Sequence, residues 1–214
     1  MKFSVKDLEI IYLDNHLLAI NKPPGLLTQP NASDASDLET LGKTYLKKKF
    51  KKKGNVFLHP IHRLDKLVSG IVLFARSSKA LSRLNSQMRR KAIQKTYFAK
   101  VEGHLTPLSG TLKHTLVHGS HRAYVKASGK EAVLSYTVCK TDTHSTLIEI
   151  ELHTGRYHQI RAQFAHIGHP IVGDTKYGST HKESRIALHH SKIIFHHPVS
   201  QEQLILKCQL KKFY

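Results

Sequence analysis

Asp65 lies between two cations, Arg63 and Lys66, directly before an apolar run of strand length. A carboxylate next to a buried segment needs a partner, because an unpaired charge in a protein interior is costly. Two interpretations follow. Asp65 either forms a structural ion pair that closes the loop, the usual case for a single Asp beside an Arg, or it stays ionised as a nucleophile or base.

A second polar cluster, from His153 to Arg161, marks the point where a predicted strand gives way to a helix. Ile160 and Phe164 would face the core from this helix, which puts Arg161 one position round, at the edge of the core. A guanidinium at that place can meet a carboxylate in bidentate geometry. The alternative is a capped helix with an ordinary solvated arginine.

The charge balance predicts a polyanionic partner. The 214 residues include 34 Lys and Arg against 15 Asp and Glu, a formal net charge of +19, and 17 His that can add charge in acid. Hydrophobic residues make up 40% and charged residues 23%, an ordinary globular composition that excludes a disordered tail protein or a coiled coil. Nucleic acid is the partner that such a charge favours.

Motifs for several enzyme classes are missing. The sequence contains no G-x-x-x-x-G-K-[ST], no G-x-G-x-x-G and no H-E-x-x-H, so triphosphate, dinucleotide and zinc-hydrolase sites lack their minimum parts. The pairs His189-His190 and His196-His197 suggest a metal at first sight. Adjacent strand residues point to opposite faces, so neither pair can readily hold one ion, and we predict no metal at these histidines.

Cysteine usage and the chain start bear on the compartment. Cys139 and Cys208 have no C-x-x-C spacing, which favours a reducing environment. The first ten residues include Asp7 and Glu9 and no apolar leader, and no apolar run reaches the length of a membrane span. We expect a soluble, cytoplasmic protein that is a monomer and does not contact a membrane.

Periodicity predicts short strands and three helices. The first helix, roughly 37–50, begins at a capping box of Ser36 and Glu39, with Gly54 as its C-terminal cap. The other helices are predicted from Ser77 or Ser78 onward and over roughly 157–167, and the strands at about 10–13, 17–20, 68–75, 94–101, 131–139, 146–152, 186–189, 192–196 and 203–208. No repeat or low-complexity linker divides the chain, which predicts one α+β domain over residues 1–214.

Both polar clusters resemble signatures of the RluA-type family of RNA pseudouridine synthases. His62-Arg63-Leu64-Asp65 with Ser69-Gly70 is similar to the catalytic loop of that family. Other segments match in the right order: Asn21-Lys22-Pro23-Pro24-Gly25, Lys95-Thr96-Tyr97 with Gly103, Thr154 to Arg161 with Pro170 to Asp174, and Leu188-His189 with His197-Pro198. The resemblance spans about residues 8–202. Two positions depart from the pattern: Val68 stands where Thr is usual, and Gln163 where His is common.

The resemblance implies a role for each matched residue. Asp65 is then the catalytic nucleophile, Tyr97 stacks on the target uracil, and Arg161 pairs with Asp65. The residue matching Arg63 is associated with extruding the nucleotide, and the other implied substrate-binding residues are His62, Leu64, Lys95, Thr154, Gly155, Arg156, His158 and Gln159. The implied fold is a mixed, largely antiparallel central sheet with flanking helices and a central RNA cleft. It uses neither metal nor cofactor, and here we expect it without the N-terminal S4 domain that many relatives carry.

The implied reaction isomerises uridine in ribosomal RNA, transfer RNA or both. It breaks the N1–C1′ bond, turns the uracil and rejoins it through C5, so the base must first leave its stack. Tyr97 can supply the aromatic face, and its phenol can move a proton. Three roles stay open for Asp65: attack at C1′, removal of a sugar proton, or addition to the uracil ring.

Two other classes of function also fit the charge. One is an RNA-binding module without activity, and the other is a DNA-binding or ribosome-associated structural protein. Simple binding does not need a carboxylate in a basic cleft, so the combination of Asp65, Tyr97 and Arg161 favours the enzyme. Turnover of uridine-containing RNA discriminates between the three.

The stretch from Lys43 to Lys53 holds seven lysines and no acid, which predicts contact with phosphate. Replacing several of these lysines by Gln should weaken RNA binding and flatten its salt dependence, because each phosphate contact releases counterions, while the saturated rate stays nearly intact. Binding constants measured over a range of salt concentrations check this. An unchanged affinity and salt slope would mean that the stretch is only a solvated helix end.

Overall fold

The structure, a computed structural model, describes residues 3–31, 36–183 and 185–209. These residues form two compact units, one containing the chain up to Ile93 together with Lys192–Cys208, and the other containing Gln94–Ser191. The helices are α1 (Leu38–Lys49), α2 (Ser78–Arg89) and α3 (Gln159–His166). The strands are β1 (Glu9–Leu13), β2 (Leu17–Lys22), β3 (His59–Pro60), β4 (Ser69–Ala75), β5 (Gln94–Glu102), β6 (Ser109–His118), β7 (Ala123–Val125), β8 (Lys130–Thr141), β9 (Ser145–Leu152), β10 (Leu188–His196) and β11 (Gln203–Lys207).

The first unit is built on β2 and β4, which pair antiparallel over their whole lengths. Leu17–Ile20 and Ile71–Ala75 are completely buried, which explains why both segments are continuous apolar runs rather than alternating ones. β1 pairs with β2, β3 with β4, and β11 with the second half of β10, all antiparallel. The apolar core includes Leu73, Leu84 and Phe195, so α2 lies on this core through one face.

The second unit is an antiparallel sheet in the order β5-β9-β8-β6-β7. Its helix α3 packs Ala162 against Leu116 and Ala132 of the sheet, and Phe164 makes an edge contact with Tyr136. Gln163, which stands where His is common in the pattern described above, is fully buried. Its Nε2 donates to the carbonyls of Leu112 and Ala132. At this position the amide therefore joins the helix to two strands.

The predicted α+β class, with a mixed and largely antiparallel sheet, is confirmed. Several details of the prediction were wrong. The N-cap of α1 is Asp37, which accepts from the Thr40 amide at 2.9 Å, and not Ser36. The helix ends at Lys49 with Phe50 as its cap, well before Gly54.

The segments 186–189 and 192–196, predicted as two strands, belong largely to one continuous strand, β10. The strands β6 and β7 were not predicted at all. The prediction of a single domain over residues 1–214 is not tested by the division into two units and stays a prediction. Within the described residues, no helix is long and apolar enough to cross a membrane.

Candidate active site

The loop that contains Asp65 connects β3 to β4 in the first unit. Asp65 is partly buried, whereas Arg63 and Lys66 are exposed on either side of it. Residues 65–68 form a turn, in which the Val68 amide donates to the Asp65 carbonyl at 3.1 Å. Val68 is 2% exposed, so its apolar side chain anchors the end of the loop in the interior.

Main-chain hydrogen bonds hold the residues on both sides of Asp65. The Thr28 hydroxyl accepts from the Leu64 amide at 3.1 Å and donates to the Leu64 carbonyl at 2.9 Å. The Lys66 carbonyl accepts from the Gly25 amide at 2.7 Å and from Nζ of Lys22 at 3.1 Å. The backbone position of Asp65 is therefore set from both ends of a three-residue segment.

Lys22 is the central contact of this arrangement. Its side chain is completely buried, and Nζ also donates to the carbonyls of Pro23 at 3.0 Å and Leu26 at 2.7 Å. Burial lowers the pKa of Lys22 from 10.5 to about 7, and the negative charge of Asp65 opposes that shift. Gly25 has a φ of +89°, a conformation that favours glycine, and this brings its amide to the loop.

Arg161 lies on α3 in the second unit and is 5% exposed. Its guanidinium is bidentate with Asp174, at 2.6 Å from Nε to Oδ2 and 2.8 Å from NH2 to Oδ1. Asp174 is 1% exposed, so this is a buried ion pair with good geometry. A third hydrogen bond runs from NH1 to Nε2 of His158 at 3.0 Å.

His158 connects this ion pair to Tyr177. A guanidinium has only donors, so Nε2 of His158 must accept and Nδ1 must carry the hydrogen, which is donated to the Tyr177 hydroxyl at 3.0 Å. The same hydroxyl accepts from the Ala123 amide at 2.7 Å. His158 is the N-cap residue of α3 and has a φ of +50°, an uncommon conformation for a residue with a side chain. These contacts hold the start of the helix and the arginine in one network.

Thr154 and Gln159 form the inner side of the turn before α3. The Thr154 hydroxyl donates to Oε1 of Gln159 at 2.8 Å and accepts from the Val133 amide at 2.8 Å. Oε1 of Gln159 also accepts from the Arg156 amide at 3.0 Å. Both side chains are buried, whereas Gly155 and Arg156 are exposed. Within this motif, Thr154 and Gln159 thus fix the turn, and Gly155 and Arg156 face outward.

Tyr97 lies on β5 and stacks on His190, with ring centroids 4.5 Å apart and an angle of 19° between the planes. Tyr97 is 6% exposed and His190 is completely buried. One face of the tyrosine ring is thus covered by the imidazole. Lys95 is two residues earlier on the same strand and is also buried.

The predicted site residues fall into two groups. His62, Arg63, Leu64 and Asp65 share one loop of the first unit, and all the others belong to the second unit. The predicted contact between Asp65 and Arg161 joins the two units and stays a prediction, as do the catalytic and binding roles.

Sequence reasoning missed several residues that position the site: Lys22, Thr28, Asp174, Tyr177 and His190. Lys22 and Asp174 were quoted only as parts of matching motifs. A signal was present for both, since each is a charged residue inside an otherwise apolar or turn-forming segment. Thr28 gives no such signal, because a threonine in a loop is unremarkable by type. Among the residues that the structure describes, no group of three or more His, Cys, Asp or Glu could hold a metal ion.

Comparison with known proteins gives a consistent result. Residues 16–166 match the family model described as RNA pseudouridylate synthase. The chain is 35% identical over 206 residues to the uncharacterized RNA pseudouridine synthase YhcT of Bacillus subtilis, covering 93% of this chain and 67% of that protein. It is 33% identical over 224 residues to tRNA pseudouridine synthase C of Pasteurella multocida, covering 93% of this chain and 90% of that protein.

A third relative is ribosomal large subunit pseudouridine synthase C of Buchnera aphidicola, 34% identical over 215 residues, covering 94% of this chain and 67% of that protein. Among solved structures, human RNA Pseudouridylate Synthase Domain Containing 4 is similar with a TM-score of 0.83 at 23% identity, covering 98% of this chain and 92% of that one. This last likeness concerns the fold.

Lys22→Met should lower the free energy of unfolding by about 3 kcal/mol, because buried carbonyls lose their donor. The loss should grow as the pH rises from 7 to 10. In that interval the unfolded chain carries a proton on Lys22 that the folded protein, with its pKa of about 7, has released, so the wild type gains stability with pH and the variant does not. Denaturant unfolding at several pH values measures the difference. A difference that is constant with pH would contradict this account.

Asp174→Asn should lower the free energy of unfolding by about 3–5 kcal/mol, because it leaves the buried Arg161 guanidinium without its counter-charge. Asp142→Asn is the matched control: Asp142 contacts Lys100 at 3.4 Å and Lys140 at 3.1 Å, but its side chain is 41% exposed. Its loss should cost less than about 1 kcal/mol. Equal effects of the two substitutions in chemical denaturation would show that burial of the Arg161 pair has no energetic consequence.

Proposed function

Because the chain belongs to the family of RNA pseudouridine synthases, and is an isomerase that acts on RNA, we propose that it converts uridine in transfer or ribosomal RNA to pseudouridine with Asp65 as nucleophile. Family membership rests on the match over residues 16–166 and on relatives that are at least 30% identical over nearly the whole chain. The observation that carries the assignment of Asp65 is its backbone, which Thr28 and Lys22 hold on either side.

Fixed geometry matters because the reaction needs a carboxylate at a defined place. The N1–C1′ bond breaks, a C5–C1′ bond forms, the hydrogen of C5 leaves to solvent, and N1 gains a proton. A flexible loop would lose conformational entropy each time it became ordered for reaction. A loop whose main chain is held by four hydrogen bonds is already ordered before the RNA binds. This argument supports Asp65 as the reacting group and leaves its point of attack open among C1′, a sugar proton and the ring.

Tyr97 and Arg161 complete the proposed catalytic group. His190 covers one face of the Tyr97 ring, so we assign the opposite face to the target uracil. Asp174 holds the Arg161 guanidinium bidentately, and three of its five N–H groups are used by Asp174 and His158. We also assign a contact between the Arg161 guanidinium and the carboxylate of Asp65, as the family resemblance implies.

The proposed binding residues divide by exposure. Arg63, Gly155 and Arg156 are exposed and suit direct contact with RNA, whereas Leu64, Thr154 and Gln159 are buried and suit the shaping of loop and turn. His62 and His158 are partly buried, and Lys95 is buried. Lys47–Lys49 and Lys51–Lys53, at the end of α1 and beyond it, are exposed, as contact with phosphate requires.

The class of RNA is proposed from the relatives. The protein from Pasteurella multocida is named for transfer RNA and that from Buchnera aphidicola for the large ribosomal subunit, and both match this chain at similar identity. We therefore propose that the substrate is one or both of these RNAs. A monomeric state, a cytoplasmic location and a reaction without metal or cofactor stay predictions.

Asp65→Asn should abolish the reaction and spare RNA binding, because it removes the charge at nearly constant volume. Release of tritium from RNA labelled at uridine C5 measures turnover, with no nucleotide added, and wild-type release should be the same in EDTA. Transfer RNA and ribosomal RNA transcripts are tested separately.

The control for folding is the melting temperature, which should be close to that of the wild type. A purely structural Asp65 would give the reverse pattern, a lower melting temperature with turnover retained. Loss of wild-type activity on chelation would overturn the metal-free mechanism.

A further inference from the structure

Lys95 occupies a special position on β5. Its side chain is 8% exposed although it ends in a charged group. Alternate residues of a strand point to the same face, so Lys95 and Tyr97 share a face of β5 and lie about 7 Å apart along it. The ammonium group is thus placed next to the residue that we propose to stack on the target base.

Nothing in the described part of the chain neutralises this ammonium. The other two buried Lys and Arg side chains among the described residues both have partners: Lys22 donates to three carbonyls, and Arg161 has the carboxylate of Asp174. For Nζ of Lys95, no hydrogen bond and no ion pair occurs among residues 3–31, 36–183 and 185–209. Burial alone lowers the pKa of Lys95, whereas the charge of Asp65 opposes the same effect at Lys22. A buried cation without a counter-charge is costly, which indicates that the partner comes from outside the protein.

Gly155 shows where that partner can approach. A Cβ at position 155 would lie 3.4 Å from Nζ of Lys95, in van der Waals contact, so the glycine leaves this side of the ammonium uncovered. Gly155 is exposed, and so are its neighbours His153 and Arg156. The end of the Lys95 side chain therefore reaches a glycine on an exposed turn, where an external group can meet it without meeting a side chain at 155.

We propose that Nζ of Lys95 binds a phosphate group of the substrate RNA, at a subsite formed with Gly155 on the Tyr97 face of β5. Phosphate is the ligand that fits, because every nucleotide of RNA carries one and because an ammonium binds it as a point charge. The proposal rests on the proposed function, since it takes the ligand from the RNA substrate.

The first test is the salt dependence of RNA binding. In Lys95→Met, the slope of log K against log[salt] should flatten by about 0.7 to 0.9, the value for one phosphate contact. Lys100→Met is the matched control on the same strand, because Lys100 is five residues away, faces the opposite side and pairs with Asp142. Its slope should equal that of the wild type. Equal slopes for both variants and the wild type would overturn the proposal.

The second test is kinetic and thermodynamic. Lys95→Met should raise KM about tenfold or more and change kcat less than about twofold, since it removes a contact present in ground and transition states alike. Lys95→Arg should recover most of the loss. Without RNA, Lys95→Met should melt at the same temperature as the wild type or higher, because it replaces an uncompensated buried charge by an apolar chain of similar length. A fall in kcat at unchanged KM would instead assign Lys95 to the reacting base, and would overturn the phosphate subsite.

The chemical class of the ligand is tested with defined probes. The ¹³Cε resonance of Lys95, assigned by its absence in Lys95→Met, should move with a short uridine-containing RNA and with uridine 5′-monophosphate, and not with uridine. Movement with inorganic phosphate but not with the RNA would show a free-phosphate site unrelated to RNA, and movement with uridine as large as that with uridine 5′-monophosphate would show a contact to the base. Either result would overturn the proposal. Failure of the proposed function is distinguishable, because it would appear as absence of tritium release in the wild type whatever the binding data show.

Discussion

Nζ of Lys22 lies among three main-chain carbonyls, and the loop that contains Asp65 depends on this contact. An ammonium has three N–H groups, so each carbonyl can receive one hydrogen. A neutral amine has only two and would leave one carbonyl without a donor. The charge state of Lys22 and the geometry of the loop are therefore linked, and the nearby carboxylate of Asp65 favours the charged form. The two opposite charges therefore stabilise each other.

The second unit also contains a buried cation, but the groups that hold it are different. Arg161 is buried like Lys22, but its planar guanidinium is held by the carboxylate of Asp174 and the imidazole of His158. Two hydrogen bonds in one plane fix both the position and the orientation of the group, whereas a point charge such as an ammonium fixes position only. Lys22 thus joins carbonyls from separate segments, whereas Arg161 holds its donors in one fixed orientation.

Sequence patterns predicted those elements whose burial is regular. β2 and β4 are buried on both faces and read as apolar runs, and β5 alternates, so all three could be recognised. β6 was missed because its less exposed positions include Gly110 and His114, so the alternating exposure of residues 109–114 does not appear as an apolar alternation in the sequence. β10 was split in two because polar residues occupy its middle, where Ser191 is buried and donates to the carbonyl of Thr96 at 3.1 Å. The bidentate pairing of Arg161 with Asp174 was not predicted, because it depends on a loop conformation that no periodicity encodes, and the predicted contact of Arg161 with Asp65 stays a prediction.

The contacts that bracket Asp65 end on the amide and carbonyl groups of Leu64 and Lys66, not on their side chains. The backbone position of Asp65 is therefore set by Lys22, Gly25 and Thr28, about forty residues upstream of the loop itself. The side chains of Lys66 and Leu67, on the outer surface of the loop, are exposed. Substitutions on the outer surface of the loop can therefore leave the backbone position of Asp65 unchanged, because the residues that hold this position lie in another part of the chain.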